Sequence, residues 1–154
     1  MPKVDQANAP VLTQCGYPAP YAEHCSGRSR IRLGDLGGLT QFGVNLTRLA
    51  PGAASAHQHW HETEDEFVLM LEGEAVLVED DGETVLRAGD AATFKAGVPN
   101  GHMLVNRSEQ EAVFIEVGTR SSADTARYTD PDVDMLMIKT DGNWVAHRKN
   151  GEPY

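Results

Sequence analysis

Turn residues cut this chain into short runs, and inside those runs apolar and polar side chains alternate. That pattern leaves little room for anything but β-structure. Glycine and proline supply 23 of the 154 residues. Phe42, Val44 and Leu46 alternate with Gly43, Asn45 and Thr47, as a half-buried strand requires. Pro51-Gly52 turns the chain, and further runs follow at 66–71, 75–79, 84–87, 91–94, 102–105 and 112–117. Asp80-Asp81-Gly82-Glu83 reads as a hairpin turn. Seven or eight strands over about 80 residues predict an all-β sandwich or small barrel. Residues 1–30, with Pro2, Pro10, Pro18 and Pro20, read as an extended N-terminal arm. Residues 31–120 are the barrel. Residues 121–154 form a polar C-terminal tail with strand-like pieces at 135–138 and 144–147, expected to pack on the barrel or on a partner subunit.

One strand is apolar on both faces: Phe67, Leu69 and Leu71 on one, Val68 and Met70 on the other. A strand in a one-layer barrel keeps one face in solvent, so something must cover its outside. The arm, the tail or a second copy could do so, and a homodimer is the expected assembly. Acidic residues outnumber basic ones 23 to 13, giving a net charge of −10, which disfavours nucleic acid as a partner. The longest apolar run, Phe67 to Leu71, is far short of the ~18 residues of a membrane span. The first residues lack the basic-then-apolar order of a secretory leader, and Cys15 and Cys25 are too few for a disulfide scaffold; both are expected as free thiols. A cytoplasmic location is the expectation.

Three of the six histidines, His57, His59 and His61, lie at period two, which on a strand sends them to one face. Imidazoles gathered in this way have good metal logic and poor packing logic. Gly52, then His59-Trp60-His61, Glu66 and Gly73 resemble the first signature of the cupin superfamily. The run from Gly89 to Gly97, followed by His102 and Asn106, resembles the second, with Lys95 where cupins usually have proline and a longer loop before His102. The resemblance spans about Leu39 to Val117, and it implies a double-stranded β-helix, or jelly-roll barrel. It also implies a single divalent transition metal held by His59, His61, Glu66 and His102. Iron and zinc head the list of metals, and manganese, nickel and copper also suit three nitrogens and one carboxylate. A register using His57, His59 and Glu64 places Glu64 eight residues before Gly73 instead of six, so Glu64 is expected as a solvated carboxylate.

Strand parity with Glu66 and His102 adds Val68, Met70, Leu104 and Asn106 to the interior, predicting a mostly apolar pocket for a small molecule. Gln41, Asn45 and Arg48 are candidate polar anchors, although ordinary sheet-surface positions suit them as well. His57 is the histidine left over for acid–base work and is expected as the catalytic residue, at the pocket mouth or behind the ligands. The resemblance implies a metal-dependent enzyme acting on a small organic molecule, of dioxygenase, lyase or isomerase type. The alternative is a non-catalytic small-molecule-binding or sensor cupin.

Overall fold

The alternating runs pair into two antiparallel sheets. The computed structural model describes residues 3–154; Met1 and Pro2, at the start of the expected arm, lie outside them. A 3-10 turn at Tyr21–Cys25 precedes β1 (Arg28–Arg32), a one-turn helix α1 (Leu33–Leu36) and β2 (Phe42–Leu49). Then follow β3 (His59–His61), β4 (Glu66–Glu72), β5 (Glu74–Glu79), β6 (Gly82–Arg87), β7 (Ala91–Phe94), β8 (His102–Val105) and β9 (Ala112–Thr119). The residues after 120 supply β10 (Asp124–Tyr128), β11 (Leu136–Thr140) and β12 (Asn143–His147). One sheet runs β1-β2-β9-β4-β7 and the other β12-β11-β10-β3-β8-β5-β6. Facing each other, they make the jelly-roll barrel. None of the described helices is long and apolar enough to cross a membrane.

One end of the barrel is packed solid. Leu49, Met70, Ala112 and Phe114 of the smaller sheet meet Ala75, Leu77, Leu86 and Leu104 of the larger one, all buried. Asn106 closes this end, with its amide donating to the carbonyls of Leu49 and Gln110 at 2.9 and 2.7 Å. Between β4 and β5 the chain passes hard against residue 111. Gly73 has φ +70°, and a Cβ there would stand 2.4 Å from the Glu111 carbonyl, so no side chain fits without parting the strands.

Residues 121–154 do more than pack on the barrel. β10 hydrogen-bonds directly to β3, with Tyr128 opposite His59 and Ala126 opposite His61, and β11 and β12 extend the sheet outward. The unpaired side of β12 is lined by the residues that follow it: Tyr154 donates its backbone N–H to the Ala146 carbonyl, and His147 bridges to Pro153. The arm touches the barrel at its other margin, where Leu12 and Arg30 exchange two backbone hydrogen bonds of 2.8 and 2.9 Å.

Among the described residues neither segment covers the outside of β4, where Phe67 and Leu71 remain exposed. Phe67 is opposite Val117, which is opposite Val44; Leu69 is opposite Ile115, which is opposite Leu46. The outer face of the smaller sheet is therefore a continuous apolar surface, with Phe67 and Leu71 36% and 42% exposed. A second copy is the cover this surface is expected to take. Light scattering at micromolar concentration should give a dimeric mass, and a Phe67→Glu/Leu69→Glu variant should give a folded monomer. A monomeric wild-type mass would refute the assignment.

Candidate metal centre

The barrel's other end is open, with a cavity of about 520 Å³ between the sheets. β3 is only three residues long, but its period of two sends His59 and His61 into this cavity on either side of Trp60. His102 stands directly opposite His59 in the pairing of β3 with β8. Glu66 reaches in from β4 on the facing sheet. One ligand atom each from His59, His61 and Glu66 can be chosen so that all lie within 4.8 Å of one another. His102 joins through Glu66, its Nε2 standing 2.8 Å from Glu66 Oε2, while His61 Nε2 stands 3.7 Å from the same oxygen. Bonds of about 2.1 Å to a common ion would put neighbouring ligand atoms roughly 3.0–3.4 Å apart; the observed 2.8 and 3.7 Å lie on either side of that range, so shifts of a few tenths of an ångström would bring these atoms onto one divalent ion.

The orientation of each ring supports the same reading. His59 donates its Nδ1–H to the His57 carbonyl at 2.7 Å, leaving the Nε2 lone pair for an ion. His61 donates Nδ1–H to Asp124 Oδ2 at 2.5 Å. Asp124 is itself fixed by the backbone N–H and hydroxyl of Thr63 at 2.8 and 2.9 Å. His102 has a buried Nδ1 with no hydrogen-bond partner among the described residues; its ring is held by stacking on Phe94, centroids 3.6 Å apart and planes 2° from parallel. Burial drives the His59 imidazole down to about 3, against the pull of Glu66. Burial alone would raise the Glu66 carboxyl, but the His102 hydrogen bond and the neighbouring imidazoles bring it to about 2. Burial pulls His61 down as well, but Asp124 and Glu66 outweigh it and hold the ring above its ordinary value. A neutral His59 beside an ionised Glu66 is the state that binds a cation. Together these groups could hold one metal ion, and no cysteine takes part.

His57 does not join them. The strand begins only at His59, so the period-two logic stops there. The His57 ring instead lies buried under the arm, Nε2 3.0 Å from the Tyr21 carbonyl and stacked on His24 at 3.9 Å. Burial lowers its basicity. It does not line the cavity, so its expected acid–base role has no geometric basis; what it gives the site is the carbonyl that orients His59.

Glu64 is also unlike the expectation of a solvated carboxylate. It is 8% exposed, and its Oε1 accepts from Lys139 Nζ at 2.7 Å, from the Ser121 N–H at 2.8 Å and from the Ser121 hydroxyl at 3.1 Å. Its Oε2 has no hydrogen-bond partner among the described residues, and Glu64 lines the cavity beside His61. Asp124 and Lys139 lie outside both motifs, in the segment whose composition read as a polar tail, and nothing in their spacing marks them.

The cavity is more polar than parity alone predicted. Val68 and Leu104 line it, but Met70 and Asn106 belong to the packed end. Arg28, Arg30 and Arg32 reach it from alternate positions of β1, joined by Arg120 and Lys139, against the carboxylates of Glu64, Glu66 and Glu116. Of the candidate anchors, Asn45 lines the cavity and donates to Glu116 at 3.3 Å. Arg48 pairs with Glu111 at 2.8 Å away from it, and Gln41 is exposed. Cys15 and Cys25 are free thiols, and burial pushes Cys25 up to about 12.

His59→Ala and His61→Ala should each lose most bound metal by elemental analysis while keeping the wild-type circular dichroism. Glu66→Gln should bind metal more weakly and Glu64→Gln should retain it. Asp124→Asn should weaken metal binding by about 10–100-fold through loss of ring orientation. Lys139→Ala strands a buried carboxylate and should lower stability by about 3–5 kcal/mol in chemical denaturation.

The family described as "Cupin domain" matches residues 45–118. A sugar phosphate isomerase of the cupin superfamily from Silicibacter pomeroyi is 46% identical over 99% of this chain and 96% of its own, with a TM-score of 0.94. A protein from Acidithiobacillus ferrooxidans that carries the same designation provisionally is 25% identical over 84% of this chain and 80% of its own, TM-score 0.75. A polyketide cyclase from Streptomyces resistomycificus shares the fold at 20% identity, with 77% of this chain and 79% of its own covered and a TM-score of 0.64. No curated protein matches the chain. With both motifs in place, the histidines and Glu66 gathered in one barrel and a near-complete match to a cupin at 46% identity, this chain belongs to the cupin superfamily.

Proposed function

We propose that this protein is a divalent-metal-dependent isomerase acting on a small phosphorylated sugar, with His59, His61, Glu66 and His102 holding the metal. The observation that carries the reading is the site itself: three imidazoles and a carboxylate on the wall of a cavity that is cationic although the chain carries a net charge of −10. An anionic substrate is drawn into such a cavity by its local field. The near-full-length similarity to a protein described as a sugar phosphate isomerase supports the same choice among the dioxygenase, lyase and isomerase readings.

Interconversion of an aldose and a ketose moves one proton between adjacent carbons and one between their oxygens. It needs no second substrate and no net oxidant. When bound, the metal supplies Lewis-acid polarisation of the carbonyl and hydroxyl oxygens. The protein must then position the chain and exchange a carbon-bound proton. Glu64 suits that exchange: it is a carboxylate beside the metal group that is not counted among its ligands and, unlike Asp124, it lines the cavity with one oxygen, Oε2, without a hydrogen-bond partner among the described residues, while Oε1 is fixed by Lys139 and Ser121.

Metal-loaded protein incubated with a panel of aldose and ketose phosphates in D₂O should show, by NMR, deuterium entering the carbon next to the carbonyl. Glu64→Gln should keep its metal and lose at least about a hundredfold in that exchange. Tight binding of such compounds with neither exchange nor turnover, in air or without it, would overturn the isomerase reading in favour of a binding or sensor role.

A further inference from the structure

We propose that Arg120 and Arg32, gathered around Asp35, form a seat for the terminal phosphate of the substrate at the cavity end away from the metal group, and that the bare floor between the two sets the substrate's length. This rests on the isomerase reading above.

The register of the smaller sheet supplies the floor. Glu66 on β4 is opposite Gly118 on β9, and Gly118 is opposite Gly43 on β2. Both glycines line the cavity and neither requires a positive φ, so their value is space. The Arg120 guanidinium lies over Gly43, where a Cβ would stand 3.4 Å from Nη2 and 3.5 Å from Nε. Starting at Glu66, the row thus runs across two residues without side chains and ends under a guanidinium. Two strand spacings make about 10 Å. An extended chain of roughly five carbons with a terminal phosphate spans that length.

Asp35 organises the cationic end. It accepts from Arg120 Nη2 and lies 3.8 Å from Arg32 Nη1, while Arg120 Nη1 donates to the Leu39 carbonyl at 3.1 Å. Those bonds take two of the five guanidinium N–H groups of Arg120 and leave three for a ligand. Two guanidiniums against one carboxylate leave a positive charge, and both arginines line the cavity. α1 holds Asp35 in place because Gly34 sits tight on β2, where a Cβ would be 2.9 Å from the Val44 nitrogen. Arg30 is not available in the same way: its guanidinium is paired with Glu116 at 2.8 Å. A phosphate, with its spread of acceptor oxygens, suits the guanidinium fork that Asp35 leaves open.

The test uses metal-loaded protein and three probes without a reactive carbonyl: a five-carbon alditol phosphate, the same alditol without phosphate, and the five-carbon aldonate. Calorimetry should show the alditol phosphate binding at least about tenfold more tightly than the alditol. Arg120→Gln should remove most of that difference and Arg32→Gln part of it, with metal content and alditol affinity unchanged. Gly43→Val, which fills the floor under the guanidinium, should weaken the phosphate probe as well. Unaltered affinity in Arg120→Gln, or a loss that extends to the metal or to the plain alditol, would overturn the seat. Aldonate binding as tight as the phosphate probe would overturn the choice of phosphate. Arginine-dependent binding without deuterium exchange in any sugar phosphate would uphold the seat and remove the isomerase reading. Exchange that is indifferent to both arginines would do the reverse.

Discussion

Ionisable groups inside a barrel must find partners without the help of bulk water, and here one carboxylate does much of that work. Asp124 accepts a hydrogen bond from His61 Nδ1–H on one oxygen and from two donors of Thr63 on the other, with its side chain fully buried. The bond fixes which His61 nitrogen faces Glu66 and at what angle. It also joins the C-terminal segment, residues 121–154, to the centre of the first motif, so that β10 is bound to β3 by side chains as well as by its backbone ladder. Without the residues after 120, the barrel would lack both the strand flanking β3 and the acceptor that orients one of its histidines.

The fold was legible because it depends on local rules. Alternation along Phe42–Thr47, the double aspartate before Gly82 and the glycine at 73 each specify a strand or turn through backbone geometry alone. The expected fold therefore appears, with eight strands, β2 to β9, across the motif region. The candidate metal group of His59, His61 and Glu66 was legible for a related reason: its members lie within eight residues of chain, and His102, which joins them through Glu66, belongs to a recognisable second run. Asp124, Lys139 and the arginines on β1 were not. Their importance comes from register between strands far apart in sequence, and a polar residue on a strand looks the same whether it faces water or a cavity. His57 misled for the opposite reason. It keeps the spacing of its neighbours, but the strand that would give the spacing meaning starts two residues later.

Charge is where composition and structure diverge most. The chain as a whole is strongly acidic, and four of the five residues from Glu62 to Glu66 are acidic. The structure distributes those side chains separately: Glu62 pairs with Arg127, Glu64 with Lys139, and Asp65 accepts from the Ala96 N–H. The cations of β1, by contrast, converge inward because every second residue from Arg28 to Arg32 is an arginine on one face. A single net charge therefore describes the solubility of this protein and says little about what its interior attracts.

The return of the chain alongside β12 bears on how these molecules can meet. An exposed strand edge is an open row of donors and acceptors that another chain can extend, a common start of disordered assembly. At the Ala146–His147 end of β12 that row is already engaged by Pro153 and Tyr154, so a strand entering there would first have to peel them away. The end of the larger sheet built by the last strands is thereby guarded against extension by another chain.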